Sequence, residues 1–258
     1  MIPLTDRQQT ILNSAVDAHI ESAQPIGSNL LLENYGLSYS SATIRHEMGE
    51  LEQLGYLEQP HISAGRVPTD AGYRFYVDHG LERKSSLPEL TGRILERYSG
   101  LPEQSEADQL AESAASFIAS LLRETGVIVL VEHDPLSGVP RRRRLFIQGT
   151  CHILEKPEFQ DLAKVRPLFK TLEEKNGLMD TLNVPQDRVG TQVRIGHENP
   201  AEPFYGCSVV RSAYTTGASY SGTIAVIGPR RMRYARILQL VEEMTQVLKQ
   251  ALCEKEIL

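Results

Sequence analysis

Apolar residues recur at helical spacing in the segment SYSSATIRHEMGELEQLGYL, residues 38–57. They fall at Ile44, Met48, Leu51 and Leu54, which puts them on one face of a helix. The opposite face carries small or hydrogen-bonding side chains and no long run of charge. A helix that is buried on one side and small and polar on the other is suited to lie in a groove.

Two apolar patterns before this helix predict two more. Thr5 is the expected N-cap of the first helix, which continues to about Glu21. The sequence AQPIGS interrupts the period, and Ser28 is then expected to cap a short helix that Gly36 ends. Because the first N–H groups of a helix lack partners within it, the helix start at Ser28 is a candidate phosphate contact.

The helical period is lost after Gly55. The segments YLEQPH and VPT predict two short strands around the tight loop ISAGR, and a further helix, DAGYRFYVDHG, follows. Three helices and a hairpin in this order are typical of a winged helix-turn-helix domain, which we predict over residues 1–80. In such a domain the third helix enters the major groove of DNA, and the hairpin, or wing, contacts the backbone or the minor groove.

The outward face of the third helix provides candidate DNA contacts. Ser40 or Ser41 is expected to cap this helix, and Ser41 is also expected to contact bases. Arg45 can donate two parallel hydrogen bonds to guanine, which discriminate against other bases by about 1–3 kcal/mol. Thr43 and His46 are weaker candidates for base or phosphate contacts.

The predicted wing adds His61, Ser63 and Arg66 to the candidates. Arg66 is the only full charge in this loop. We therefore expect Arg66 to contact a phosphate or the minor groove.

Charge keeps a second function open for the N-terminal third. Residues 1–80 contain ten acids, four arginines and no lysine, a net charge of 4 − 10 = −6. The remaining residues carry 23 basic and 23 acidic side chains, so this third holds the entire net charge. Because nucleic-acid-binding domains usually have a basic surface, the alternative is a protein-interaction regulator whose acidic winged helix does not bind DNA.

Length and composition are those of a globular protein. The 258 residues suffice for one large or two ordinary domains, and 41% are hydrophobic and 23% charged. No apolar run approaches the ~20 residues of a membrane span, and the N-terminus lacks a signal-peptide pattern, so we expect a cytoplasmic protein without membrane contact. Cys151, Cys207 and Cys253 lack CxxC spacing, and we expect reduced thiols.

The segment 81–125 is predicted to be helical, with helices near 88–98 and 103–124. The second has one apolar face. This face suits a linker or dimerisation helix, and it equally suits a helix that packs on its own domain, so the sequence leaves both open.

Residues 126–258 mix strand and helix patterns. VIVLV, RLFIQG, RVGTQVRIG, GCSVVRSAYT and YSGTIAVIG predict strands, with a hairpin turn near residues 216–218. Helices are expected around KPEFQDLAKVRPLFKTLEEK, split near Pro167, and from Pro229 to about Leu252. The fold class is thus α+β, with an antiparallel sheet and helices on one face.

No motif in the chain indicates catalysis. We find no metal-ligand spacing, glycine-rich phosphate loop or nucleophile–base pair, so we expect neither an enzyme nor a bound metal or cofactor. The run Arg141–Arg144 is expected in a loop. It predicts a solvated turn or, alternatively, a non-specific phosphate contact.

Long motifs resemble a known family. LTDRQQTILNSAVDAHIESAQPIGS and SATIRHEMGELEQLGYLEQPHISAGRVPT are similar to the N-terminus of the heat-inducible transcription repressor HrcA family. Further similarity lies in GTCHILEKPEFQD, VRIGHENP and GTIAVIGPRRMRYARILQLV. The resemblance covers most of the chain, and it assigns the recognition helix to residues 40–55 and the wing to residues 61–66.

The resemblance implies a dimeric repressor that binds an inverted-repeat operator, the CIRCE element, upstream of chaperone operons. It also implies a GAF-like domain over residues 126–258 and a dependence on a GroEL-type chaperonin for reaching the active fold. This chain departs from the family by lacking an inserted dimerisation module between VIVLV and RLFIQG. Its dimer must therefore be built differently, for which residues 81–125 and the sheet are candidates.

Overall fold

A computed structural model describes residues 4–62, 64–81, 107–134, 136–182, 190–217 and 219–256. Ser63 and the predicted helix near 88–98 lie outside these ranges. The chain divides into two compact units, of which the first comprises Met1–Glu82 with Arg230–Tyr234 and the second comprises the rest. Helices and antiparallel strands occur in both units, which confirms the α+β class.

The first unit consists of three helices, a short hairpin and a fourth helix. Apolar side chains of the first and third helices, among them Ile11, Val16, Ile44 and Met48, form its core at 0–1% exposure. The fourth helix continues into one turn of π-helix, Tyr76–Gly80. The elements are α1 (Asp6–Ser22), α2 (Ser28–Tyr35), α3 (Ser41–Gln53), β1 (Leu57–Glu58), β2 (Val67–Pro68) and α4 (Asp70–Phe75).

Helix caps explain where these helices begin. Thr5 caps α1 in a reciprocal capping box with Gln8, as the sequence predicts. Ser40 is the N-cap of α3, since its Oγ accepts a 3.1 Å hydrogen bond from the Thr43 N–H. The prediction that Ser28 caps α2 is wrong, because Gly27 is the N-cap and Ser28 is the first helical residue.

The second unit is built on one five-stranded antiparallel sheet. Its strand order is β4-β3-β7-β6-β5, so β3 and β7 pair in the middle and β4 and β5 form the edges. The predicted hairpin turn near 216–218 joins β6 and β7. The elements are α5 (Ala107–Leu122), β3 (Thr125–His133), β4 (Pro140–Gln148), α6 (Cys151–Leu154), α7 (Leu162–Glu173), α8 (Lys175–Leu182), β5 (Thr191–Ile195), β6 (Cys207–Thr216), β7 (Tyr220–Pro229) and α9 (Tyr234–Glu256).

Both faces of this sheet are covered, so the prediction of helices on one face is wrong. Val127 and Val129 pack in a cluster with side chains of α7 and α8. Ile128, which points to the opposite face, is also fully buried. A Cβ on Gly126 would lie 2.6 Å from the Ala115 carbonyl, so α5 packs closely on that second face.

Two other sequence predictions need correction. Helix α7 runs through Pro167 without a break, and its buried Val165, Leu168 and Leu172 show that packing outweighs the lost hydrogen bond. The run Arg141–Arg144 lies in strand β4 instead of a loop, because the hairpin with β3 extends as far as His133 and Pro140. Within the described ranges, no helix is long and apolar enough to cross a membrane.

Candidate nucleic-acid interface

Helix α3 has one buried and one open face. Ile44, Met48 and Leu51 are at most 1% exposed and anchor the helix in the core. Arg45 and His46 are exposed on the other side. The burial pattern therefore leaves α3 able to contact a ligand surface along the face that carries these two residues.

Ion pairs distinguish Arg45 from the other arginines of the N-terminal third. Arg7 pairs with the buried Glu47, Arg66 pairs with Glu52, and Arg74 pairs with Asp78. Arg45 has no ion-pair partner among the described residues. Its guanidinium can consequently donate hydrogen bonds to a ligand without first breaking an internal pair.

The segment Arg230–Tyr234 supplies further cations to the first unit. Arg230 Nη1 lies 2.8 Å from Asp70 Oδ1, and Arg233 Nη2 lies 2.8 Å from Glu21 Oε2. Burial is the largest single influence on Arg230 and lowers its pKa, but the hydrogen bond to Asp70 and the charges of Asp70, Tyr73 and Glu58 together outweigh it, so the net pKa is raised. These two ion pairs neutralise acidic side chains of residues 1–80, the part of the sequence that has an excess of negative charge.

The N-termini of α2 and α3 meet through their serines. Ser28 Oγ and Ser41 Oγ are 3.0 Å apart, and the Ser41 hydroxyl also donates to Asn29 Oδ1. Ser40 and Thr43 are joined by the cap of α3, with 2.9 Å between their hydroxyl oxygens. The structure thus brings Ser28 and Ser41 together. Ser40 and Thr43 form the N-terminal cap of α3, which is the candidate recognition helix.

Backbone pairing fixes the base of the hairpin. The Ile26 N–H donates to the Arg66 carbonyl at 2.8 Å, and the Arg66 N–H donates to the Ile26 carbonyl at 2.9 Å. Gly65 is required here, because an added Cβ would lie 2.4 Å from the Ile26 carbonyl oxygen. The hairpin is therefore attached to the residues that precede α2.

Arg66 is engaged with the protein itself. Its Nε donates to Glu52 Oε2 of α3 over 2.8 Å, and its side chain is 19% exposed. His61, which follows Met48 by 13 positions, lies in the loop and is exposed. Ser63 is outside the described residues. The side chain of Arg66 thus links the hairpin to α3. The sequence predicted that Arg66 contacts a phosphate or the minor groove, and it did not predict this ion pair.

Sequence reasoning missed two side chains of this region, Glu52 and Gln59. Glu52 lies seven residues after Arg45 and three after Gly49, which is the helical spacing of the outward face, so its position was readable. Gln59 Nε2 donates to the carbonyls of Ile62 and Ala64. A lone glutamine in a loop gives no sequence signal for such a contact.

Two of the four arginines in the basic run of β4 form ion pairs. Arg144 pairs with Asp108 and with Glu132, and Arg141 pairs with Asp134. Arg142 and Arg143 are exposed. Arg141 is exposed as well despite its ion pair, so Arg144 is the one member of the run that departs from the solvated state the sequence predicted.

No metal centre occurs in the part of the chain that the structure covers, where no three His, Cys, Asp or Glu side chains are grouped to hold an ion. The cysteines are unbridged, with Cys151 exposed, Cys207 buried and Cys253 half-buried.

The fold is similar to that of a crystallised hypothetical protein. The two chains align with a TM-score of 0.79 at 21% identity, over 97% of this chain and 99% of the other. This similarity concerns the fold alone.

Sequence relatives identify the family. A heat-inducible transcription repressor HrcA from Shouchella clausii is 30% identical over 339 aligned residues, which include 96% of this chain and 98% of the relative. The repressor of the same name from Brevibacillus brevis is 30% identical over 342, with the same coverage. Both alignments exceed the 258 residues of this chain, so the relatives contain segments without a counterpart here. The family model for the HrcA protein C terminal domain matches residues 79–238, and the chain belongs to the HrcA family of transcription repressors.

Proposed function

We propose that this protein is a sequence-specific DNA-binding repressor of heat-shock and chaperone operons, acting in the cytoplasm and not as an enzyme. The observation that carries the proposal is the open face of α3, on which Arg45 is exposed and has no ion-pair partner among the described side chains. The names of the relatives, heat-inducible transcription repressors, support the same role.

In this proposal residues 1–80 form a winged helix-turn-helix domain with α3 as the recognition helix. Arg45 reads guanine in the major groove, and Thr43 and His46 contact bases or phosphates nearby. Ser28, Ser40 and Ser41 lie at the two helix starts, where N–H groups favour a phosphate. His61 and Ser63 contact DNA from the wing, and Arg66 adds a charge at the base of the wing.

The operator is an inverted repeat of the CIRCE type, bound by a homodimer. Two recognition helices would enter successive major grooves, with half-sites about 34 Å or a multiple of that distance apart. Residues 81–125 and the edges of the sheet remain candidates for the dimer interface. Since α5 already buries one face on its own sheet, only its remaining surface and the chain before it are available for this purpose.

Residues 126–258 are proposed as a GAF-like domain that organises the dimer. A five-stranded antiparallel sheet with helices on both faces supports this assignment. We propose no small-molecule ligand for it, and a GroEL-type chaperonin as a folding partner.

The test is a fluorescence-anisotropy titration of the purified full-length chain. An inverted-repeat CIRCE duplex is compared with a scrambled duplex of equal composition, at low and moderate salt, with and without chaperonin. A preference of about 10³-fold or more for the repeat is expected of a specific repressor. Folded protein that prefers neither duplex in any condition would overturn the proposal and favour the protein-interaction regulator.

A further inference from the structure

The loop of the wing contains an isoleucine, Ile62, that is fully exposed to water. Ile62 is 100% exposed, although most other apolar side chains of the first unit are buried or half-buried. Single exposed apolar residues are common on protein surfaces and need no function. What distinguishes Ile62 is how firmly its backbone is held.

Gln59 fixes the loop around Ile62. Its Nε2 donates two hydrogen bonds, one to the Ile62 carbonyl over 3.1 Å and one to the Ala64 carbonyl over 2.8 Å. The Ala64 N–H in turn donates to the His61 carbonyl over 2.9 Å. One side chain thus uses both of its amide hydrogens to hold two backbone carbonyls of the loop.

The base of the loop is fixed as well. Gly65 packs against the Ile26 backbone, and Arg66 joins the strand to α3 through Glu52. The tip therefore has a defined position relative to the open face of α3. A backbone held in this way loses little conformational freedom when the side chain that it carries binds, which favours contact with a partner.

The chemistry of such a tip suits the minor groove. Proteins that bind there often insert an apolar side chain between base steps, which unstacks the step and bends the duplex. We propose that Ile62 is an apolar wedge that enters the minor groove beside the site of α3, and that Gln59 is the residue that positions it. This inference rests on the proposed function, since it requires that the first unit binds DNA.

The experiment uses the full-length chain and a CIRCE duplex that carries 2-aminopurine at a pyrimidine–purine step, because these steps unstack most easily. The probe is moved through the steps that flank each half-site. We expect wild-type protein to raise 2-aminopurine fluorescence at one such step. I62S should abolish that rise and weaken operator binding by about tenfold, which is the scale expected for one buried aliphatic side chain.

Two control variants separate a wedge from a loss of structure. Leu136 is also 100% exposed but lies in the second unit, so L136S should leave both the affinity and the fluorescence unchanged. I62L keeps an apolar side chain of equal size and should retain the signal. All three variants should melt at the wild-type temperature, because neither side chain is packed in the protein.

Gln59 is tested by Q59M, which removes the two donors at similar length and adds no charge. The fluorescence rise should fall although Ile62 is intact, and Q59M should add little in the I62S background, because both act on one contact. An I62S protein that binds and unstacks DNA like wild type would overturn the wedge and leave the proposed function standing. Wild-type protein without operator preference would overturn the proposed function itself, and the wedge with it.

Discussion

Arg45 illustrates how neighbouring residues determine whether a side chain is open to a ligand. Its exposure follows from the buried positions Ile44 and Met48, which fix the rotation of α3 in the core. Its guanidinium is available to a ligand because the acids Glu47 and Glu52 of α3 are already paired with Arg7 and Arg66. An arginine that keeps its planar set of donors open is the side chain best matched to the O6 and N7 of guanine.

We expect R45A to weaken binding to the CIRCE duplex by about 5- to 150-fold, the range of one bidentate base contact, and to change binding to scrambled DNA little. Anisotropy titrations with both duplexes measure this. R74A is the matched control, because Arg74 lies on α4 instead of α3 and pairs with Asp78 of the π-helical turn. Equal losses on both duplexes for R45A would mean that Arg45 contacts only phosphates.

The sequence was sufficient to predict that Arg45 is exposed but not that Arg66 contacts Glu52. Helical spacing alone defines which side of α3 is buried, so the open face was predictable. The contact of Arg66 with Glu52 depends on the angle between the hairpin and α3, which the Ile26 bridge sets. Local patterns contain no information on such an angle, because it results from backbone pairing between distant residues.

At the scale of elements, the hairpin depends on one close approach of two chain segments. Gly65 has no special backbone angle to satisfy, and its role is purely steric. Sequence reasoning found the strands on either side of the loop but not the third segment at Ile26, since a single bridge has no strand pattern of its own.

G65A should destabilise the hairpin by about 1–3 kcal/mol, because the new Cβ would overlap the Ile26 carbonyl. We expect faster amide hydrogen exchange at Ile26 and Arg66, while the amides in the middle of α1 stay protected. G177A in α8 is the control, since a Cβ there meets no atom within 4 Å. Unchanged exchange at both amides in G65A would contradict this account of the hairpin.

The sequence of β3 already contained evidence that both faces of the sheet are covered. VIVLV lacks the alternation of a strand with one solvated face, and continuous apolar runs belong to strands that are covered on both sides. The continuation of helix α7 through Pro167 was harder to predict. This helix is maintained by Val165, Leu168 and Leu172, which pack in the same hydrophobic cluster as side chains of the sheet. Such contacts are visible only once the fold is known.

At the scale of the whole molecule, each unit contains a tyrosine that is buried in its neutral form. Burial, followed by the hydrogen bond that the Tyr76 hydroxyl donates to Asp17, raises the pKa of Tyr76. Burial also raises the pKa of Tyr214, whose hydroxyl donates to the Val129 carbonyl over 3.0 Å. Both phenols therefore stay protonated in the folded protein at pH values where an unfolded chain would lose the proton.

Stability should accordingly fall in alkali. A raised tyrosine pKa contributes stability that is fully present below the unfolded value of 10 and is lost as the pH rises above it. We expect the melting temperature to decrease between about pH 9 and 11, measured by circular dichroism. The double variant Y76F/Y214F should melt lower at neutral pH and show a flatter decrease, whereas parallel curves for the two proteins would rule out these tyrosines as the cause.

The pairing of β3 with β7 also determines the order in which the protein can fold. Thr125 pairs with Ile227, so the two central strands are separated by roughly a hundred residues of chain. During synthesis β3 emerges long before β7, and its apolar run VIVLV has a strand partner on only one side until residues 221–225 of β7 are made. Such an unpaired, aggregation-prone edge is the feature of nascent proteins that chaperones bind. The topology of the sheet thus leaves the apolar run of β3 without its second strand partner for most of the synthesis that follows it.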